Sequence, residues 1–99
     1  MNVEVMHMRV AIRFRGPVGK RMRAPVFHVE VRENATLHNL FAMLLQKEEN
    51  VSEIWNSPES IDSVALVLLN EVDVGLTGGL ETELSDGDEI IVLPLVHGG

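Results

Sequence analysis

The 99-residue chain has no cysteine, few aromatic residues and no long apolar run. The absence of cysteine excludes disulfide bonds, thiolate metal sites and a cysteine nucleophile, and it favours a reducing compartment such as the cytoplasm. No apolar stretch approaches the ~18 residues that a membrane-spanning helix requires. The first residues, where Glu4 and His7 interrupt valines and methionines, do not match a signal peptide. We therefore predict a cytoplasmic protein without a membrane partner.

Basic residues are missing from the second half of the chain. All eight lysines and arginines lie within residues 1–47, against three acidic residues, whereas residues 48–99 carry twelve acidic residues and no base. The balances of +5 and −12 together make the net charge of −7. This charge repels phosphates over the molecule as a whole, so we predict no direct nucleic-acid partner. RNA binding through Arg9, Arg13 and Arg15 is the weakest alternative.

Apolar residues make up 45% of the chain, which is enough for one modest core in a domain of this length. They alternate with polar residues over 9–15 and 26–32, a period of two that predicts two strands joined by a loop. Thr36 is a good helix N-cap, and a stripe at helical spacing predicts a helix that ends between Glu48 and Asn50. The stripe consists of Leu37, Leu40, Phe41, Leu44 and Leu45.

The remaining segments predict the rest of a sheet. Residues 51–62 contain a Ser-Pro break and indicate a loop or a short helical turn. The continuously apolar run 64–69 is typical of a central strand covered on both faces. A brief strand follows near residue 72, a last strand covers 89–93, and Pro94 ends its ladder. This order indicates an α+β domain, in which one main helix lies on one face of a mixed sheet of four to five strands.

The order and size of these elements resemble the β-grasp fold of ubiquitin, and the second half of the chain resembles the ubiquitin-like sulfur carriers. That family includes the molybdopterin synthase small subunit (MoaD), the thiamine sulfur carrier (ThiS), the ubiquitin-related modifiers and the small archaeal modifier proteins. The similarity is detailed over 64–99 and extends only to the pattern of elements over 8–50. The matching residues are Leu69-Asn70-Glu71-Val72-Asp73, Gly78-Gly79-Leu80, Thr82, Leu84, Asp86-Gly87-Asp88-Glu89, Pro94 and Gly98-Gly99, with Arg13-Phe14-Arg15-Gly16-Pro17 near the start.

The resemblance implies a β-grasp domain over residues 1–94 and a flexible tail over 95–99. Residues 1–7 are interpreted as an N-terminal extension or as the result of an upstream start codon, because Met8 is a natural start for the family. The resemblance also implies a carrier or modifier protein rather than an enzyme, with no bound cofactor. A ubiquitin-activating-type enzyme that uses ATP would adenylate the carboxylate of Gly99.

Two fates of this adenylate follow from the same resemblance. A sulfur donor or persulfide enzyme would convert Gly99 to a thiocarboxylate for tRNA thiolation or molybdopterin synthesis, or a lysine of a target protein would form an isopeptide bond with it. Whether Lys20 or Lys47 accepts another copy stays open. One alternative is a dedicated molybdopterin synthase small subunit docked in the large subunit, and another is a β-grasp interaction domain that is never conjugated.

The two terminal glycines fit this chemistry for a steric reason. A carboxylate that must reach the α-phosphate of ATP inside another protein has to pass through a narrow channel, where glycine has no Cβ to clash. We therefore predict Gly99 as the activated residue. Leu95, Val96, His97 and Gly98 are predicted as the tail that the partner recognises.

Other combinations of residues do not form a convincing site. The four histidines are too scattered for a metal site. Residues 75–79 lack the Gly-Lys-Ser/Thr ending of a phosphate-binding loop, and residues 86–88 lack the ligand spacing of a calcium loop. No Gly-x-Ser-x-Gly elbow is present. We predict no metal site and no catalytic residue, and we expect residues 90–93 to meet the helix on one face and a partner on the other.

Overall fold

A five-stranded mixed sheet with one long helix on a single face forms the body of the protein in the computed structural model, which describes residues 7–95. Three 3₁₀ turns lie in the connections (Pro17–Arg21, Val74–Leu76 and Gly79–Glu81). The strands and helices are β1 (His7–Phe14), β2 (Phe27–Arg32), α1 (Leu37–Lys47), α2 (Glu49–Ser52), α3 (Pro58–Val64), β3 (Ala65–Leu69), β4 (Val72–Asp73) and β5 (Glu89–Pro94).

The strand order is β2-β1-β5-β3-β4, which places the last strand in the centre of the sheet. Strands β1 and β5 pair in parallel, with Phe14 opposite Val92, whereas β3 pairs with β5 antiparallel, with Val67 opposite Val92. The β-grasp prediction is therefore confirmed, including the α+β class and the mixed sheet of five strands. The strand β5 extends through Pro94, which pairs with Ala65, one residue beyond the predicted end.

Residues 65–69 form an inner strand, as predicted, but the prediction that both faces of this strand are covered is wrong. Strand β3 lies between β5 and the short edge strand β4, and only Val67 in it is fully buried. The helix covers one face of the sheet, so alternate side chains of β3 point to the uncovered face. The apolar run of β3 therefore has two parts. Its alternate side chains belong to the core on one face of the sheet and to an apolar surface on the other face.

Helix α1 begins where the sequence predicts and ends at Lys47, one residue before the predicted range. The Thr36 hydroxyl accepts a hydrogen bond from the Asn39 amide (3.2 Å), and the Asn39 side chain accepts one from the Thr36 amide (2.9 Å). This reciprocal cap satisfies two backbone donors and is worth about 1 kcal/mol. The buried stripe packs on the sheet, where it meets Ile12, Ile90 and Val92. It consists of Leu37, Leu40, Phe41 and Leu44.

The segment after α1 folds into two short helices, which refines the prediction of a loop or a helical turn. Ser57 caps α3 by accepting a hydrogen bond from the Ser60 amide (3.1 Å), and Pro58 occupies the first turn. Trp55, between the two helices, is buried and stacks on Phe14 with the ring centroids 5.9 Å apart. Burial of this large ring fixes the segment against the end of β1.

The loop between β1 and β2 is held against the end of α1 by one arginine. Arg23 donates two hydrogen bonds to the Glu48 carboxylate (2.7 and 2.9 Å), and its guanidinium lies 5.0 Å from the centre of the Phe27 ring. The hydrogen bonds and the charge of Glu48 raise the pKa of Arg23. Within residues 7–95, no helix is long and apolar enough to cross a bilayer.

Candidate functional site

The end of β5 is the point from which the predicted functional tail continues. Ile90 and Val92 are fully buried, and the strand is bonded to a neighbour on each side. The Leu95 amide then donates a hydrogen bond to the Val64 carbonyl (2.8 Å). The backbone is therefore fixed as far as Leu95, which lies at the edge of the folded body.

Of the five predicted site residues, the structure describes Leu95 alone. Its side chain is 54% exposed, so it is available to a partner. Val96, His97, Gly98 and Gly99 lie outside the described residues. The four residues 96–99 span at most about 14 Å when fully extended.

The face of the sheet opposite α1 carries an apolar surface next to this point. Because Ile90 and Val92 point into the core, Ile91 and Leu93 point to the other face. Leu68 lies opposite Ile91, and Leu66 lies opposite Leu93, which is 37% exposed. We call these four side chains the outer apolar surface, and they confirm the prediction that β5 has apolar residues on both faces.

Charged residues border the outer apolar surface on the β1 side. Arg13 lies opposite Ile91 in the parallel pair, and the Arg15 amide bonds to the Val92 carbonyl (2.9 Å). Arg9, Arg13 and Arg15 are exposed, which confirms that β1 presents its basic residues on one face. Long basic side chains beside apolar ones favour a partner with acidic and apolar groups.

The sequence motif around Asn70 and Asp88 has a structural role that sequence reasoning did not identify. The Asp88 carboxylate accepts hydrogen bonds from the Ser85 amide (2.7 Å) and the Asn70 side chain (2.8 Å). The Asn70 side chain also accepts one from the Glu89 amide (2.9 Å). Asn70 and Glu71 both have positive φ, 49° and 71°, in the tight turn between β3 and β4. The motif therefore ties this turn to the first residue of β5.

Replacing Asp88 with alanine should destabilise the fold by about 2 kcal/mol, because the Ser85 amide and the Asn70 side chain lose their acceptor. For a domain of this size, that loss lowers the melting temperature by about 10 °C. The measurement is thermal unfolding followed by circular dichroism. Asp62→Ala, at an exposed position of α3, is the matched control and should change stability by less than about 0.5 kcal/mol. Equal melting temperatures for the two variants would contradict the assigned role of Asp88.

Three of the four histidines lie at the surface of the described part of the chain, and His97 lies outside it. No group of three His, Asp or Glu side chains within residues 7–95 could hold a metal ion. His38 contacts Glu59 (3.0 Å), His7 lies 3.9 Å from Glu30, and His28 is exposed on β2. The 75–79 segment forms 3₁₀ turns rather than a loop that leads into a long helix.

Comparison with known proteins places the chain in one family. The model of the ThiS family matches residues 19–99. The sulfur carrier protein CysO of Mycobacterium tuberculosis is 39% identical over 72 residues, covering 67% of this chain and 77% of CysO.

Solved structures of other proteins have the same fold as this chain. The small archaeal modifier protein SAMP1 of Methanosarcina acetivorans superposes with a TM-score of 0.74 at 21% identity, covering 95% of this chain and 99% of SAMP1, which shows a shared fold. The complex of subunits 1 and 2 of molybdopterin-converting factor from Helicobacter pylori contains a chain that is 32% identical with a TM-score of 0.61, covering 93% of this chain and all of that one. The chain therefore belongs to the ThiS family of ubiquitin-like sulfur carriers.

Proposed function

We propose that this protein is a small sulfur carrier whose C-terminal Gly99 is adenylated by a partner enzyme and then converted to a thiocarboxylate. The observation that carries the proposal is the surface beside the last described residue of the chain. The described backbone reaches Leu95, next to a partly exposed apolar and basic surface, and the sequence continues from there to Gly98-Gly99. The family match extends to the last residue, and the relative CysO is itself a sulfur carrier.

The proposed chemistry needs no catalytic side chain from this protein. The Gly99 carboxylate attacks the α-phosphate of ATP in the partner's site, forming the acyl-adenylate and releasing pyrophosphate. A persulfide sulfur of the donor then attacks the acyl carbon and displaces AMP. A second thiol attacks the donor's own sulfur in the resulting acyl disulfide, forms a disulfide with the donor and releases the thiocarboxylate. This chain contributes an unbranched end that enters the partner's site and a surface that positions it.

The outer apolar surface is the part of the body that docks on the activating enzyme in this proposal. Leu93 is separated from Gly99 by five residues, so a partner seated on it holds the terminal carboxylate within about 20 Å. Arg13 and Arg15 border the same surface and would meet acidic groups of that enzyme. Such charges mainly raise the rate of association.

Two alternative functions use the same C-terminal residue. One is isopeptide bond formation between Gly99 and lysines of target proteins, which follows the same adenylate but uses an amine in place of sulfur. The other is a permanent role as small subunit of a molybdopterin synthase. It is supported by the Helicobacter pylori complex, in which a chain 32% identical to this one is bound to a second subunit. All three outcomes fit a protein of the cytoplasm.

The experiment that tests the proposal is the intact mass of the protein purified from its native cells. A gain of about sixteen mass units, located at Gly99 by fragmentation, is the result we expect, because one carboxylate oxygen is replaced by sulfur. Lysine residues of other proteins that carry a Gly-Gly remnant would instead favour the modifier. A stable complex with a larger subunit would favour the synthase subunit. An unmodified mass in every fraction, with neither conjugates nor complex, would contradict the proposal.

A further inference from the structure

Strand β2 forms an open edge of the sheet, on the far side of β1 from β5. The amides of Arg9, Ala11 and Arg15 point towards β5, because they bond to Asp86, Asp88 and Val92. The even-numbered residues of β1 therefore exchange hydrogen bonds with β2, through the odd-numbered residues of β2 that lie opposite them.

It follows that three residues of β2 direct their backbone amides to the open edge. They are His28, Glu30 and Arg32. None of the described elements pairs with this edge. Strand β2 has six residues, which is long enough for another strand to pair with it. An added strand would form main-chain hydrogen bonds with these three backbone amides.

A groove between this edge and helix α1 offers a place for side chains of an added strand. A cavity of about 360 Å³ lies there, and its apolar part is formed by Val31, Ala35 and Met43. Val31 and Ala35 are buried, whereas Met43 is half-buried and packs against the core from the groove side. Methionine adapts its shape to different apolar partners, so the groove suits one or two aliphatic side chains.

The charge on the face of the sheet opposite α1 indicates which side chains of the added strand would be favoured on that face. On that face, β1 and β2 together present basic side chains and a single acidic one, Glu30. The basic and titratable residues there are Arg9, Arg13, Arg15, Arg32, His7 and His28. In a strand, alternate side chains point to opposite faces, so the residues of an added strand that do not enter the groove lie beside His28, Glu30 and Arg32, with the arginines of β1 one strand further away.

We propose that the β2 edge is a peptide-binding site, which takes an extended segment of alternating apolar and acidic residues as a sixth strand of the sheet. The apolar residues enter the groove between β2 and α1, and the acidic residues lie beside Arg32 and its basic neighbours. This site is separated from β5 by β1, which amounts to about 10 Å across the sheet. A protein can therefore hold the carrier by this edge while the C-terminal tail occupies another partner.

The test uses the full chain and a synthetic probe, acetyl-Asp-Ile-Asp-Val-Asp-Ile-Asp-amide, titrated into ¹⁵N-labelled protein and followed by NMR. We expect saturable shifts at the amides of His28, Glu30 and Arg32, with slower hydrogen exchange at these positions. A probe with lysine in place of each aspartate should bind at least tenfold more weakly. A probe N-methylated at alternate residues should not bind, because the added strand loses its donors.

Two variants locate the site. Met43→Lys should reduce affinity at least tenfold by placing a charge in the groove, and Arg32→Glu, at an exposed position, should do the same by reversing a charge beside the added strand. Val72→Lys, on the opposite edge strand β4, is the control and should leave affinity unchanged. The proposal is overturned if the probe does not bind, if its shifts fall on Ile91 and Leu93, or if both variants bind it as tightly as the natural chain.

Discussion

Removal of Gly98 and Gly99 should abolish formation of the acyl-adenylate while leaving the melting temperature unchanged. The new terminal carboxylate, on His97, would sit about 7 Å further back along an extended tail and beside an imidazole ring, so it would not reach the α-phosphate in the partner's channel. Stability should be preserved because the described core extends no further along the chain than Val92. The measurements are ATP–pyrophosphate exchange with the cognate activating enzyme and thermal unfolding.

A control that removes Asn2 and Val3 shortens the chain equally at its other end and should retain full exchange activity. Graded variants refine the result. Gly98→Ala should reduce exchange less than Gly98→Val, because the channel is expected to reject side chains in proportion to their bulk. Full activity of the shortened chain, or of the valine variant, would show that the end of the chain is not the reacting group.

Replacing Leu93 with aspartate should lower kcat/KM for adenylation about thirtyfold, which corresponds to the loss of one central contact worth about 2 kcal/mol. Leu93 belongs to the outer apolar surface and is 37% exposed, so the change places a charge where an apolar partner is expected. It also adds a carboxylate next to Arg15, which removes local positive charge. The measurement is the same exchange assay at varied carrier concentration.

The matched control is Leu76→Asp. Leu76 is 82% exposed and lies in the turn after β4, at the other end of the sheet from β1. Its replacement makes an identical chemical change away from the proposed docking surface, and we expect wild-type kinetics. If the two variants lose activity equally, the effect comes from net charge and not from a defined surface.

The local part of the fold could be predicted from the sequence because short-range physics determines it. Thr36 and Asn39 are three residues apart, so their reciprocal cap depends on little beyond the segment itself. The alternation in β1 depends only on which face meets the core. The helix stripe beginning at Leu37 is explained in the same way.

Long-range contacts could not be predicted in this manner. The position of β5 between β1 and β3 depends on strand pairing, which an apolar run does not specify by itself. Arg23 and Glu48 are 25 residues apart, and no local pattern indicates that they pair. The sequence excludes a calcium loop at residues 86–88, but the connection from Asp88 to Asn70 requires the fold.

The candidate site also has one part that the sequence predicts and another part that only the fold reveals. The choice of Gly98 and Gly99 came from the resemblance and from the steric demands of adenylation, and it stays a prediction. The outer apolar surface needed the sheet, because Leu66, Leu93 and Arg13 come from three separate strands. The sequence indicated only that β5 was apolar on both faces.

The parallel pairing of β1 with β5 has a consequence for how the molecule is made. Strand β1 stays without its parallel partner until the ribosome has delivered β5, so the sheet closes only after residues 89–94 have emerged. A product that stops before Ile90 has no central strand and should be degraded as an unfolded chain. In the proposed function, such truncated chains therefore do not compete with the intact carrier for the activating enzyme.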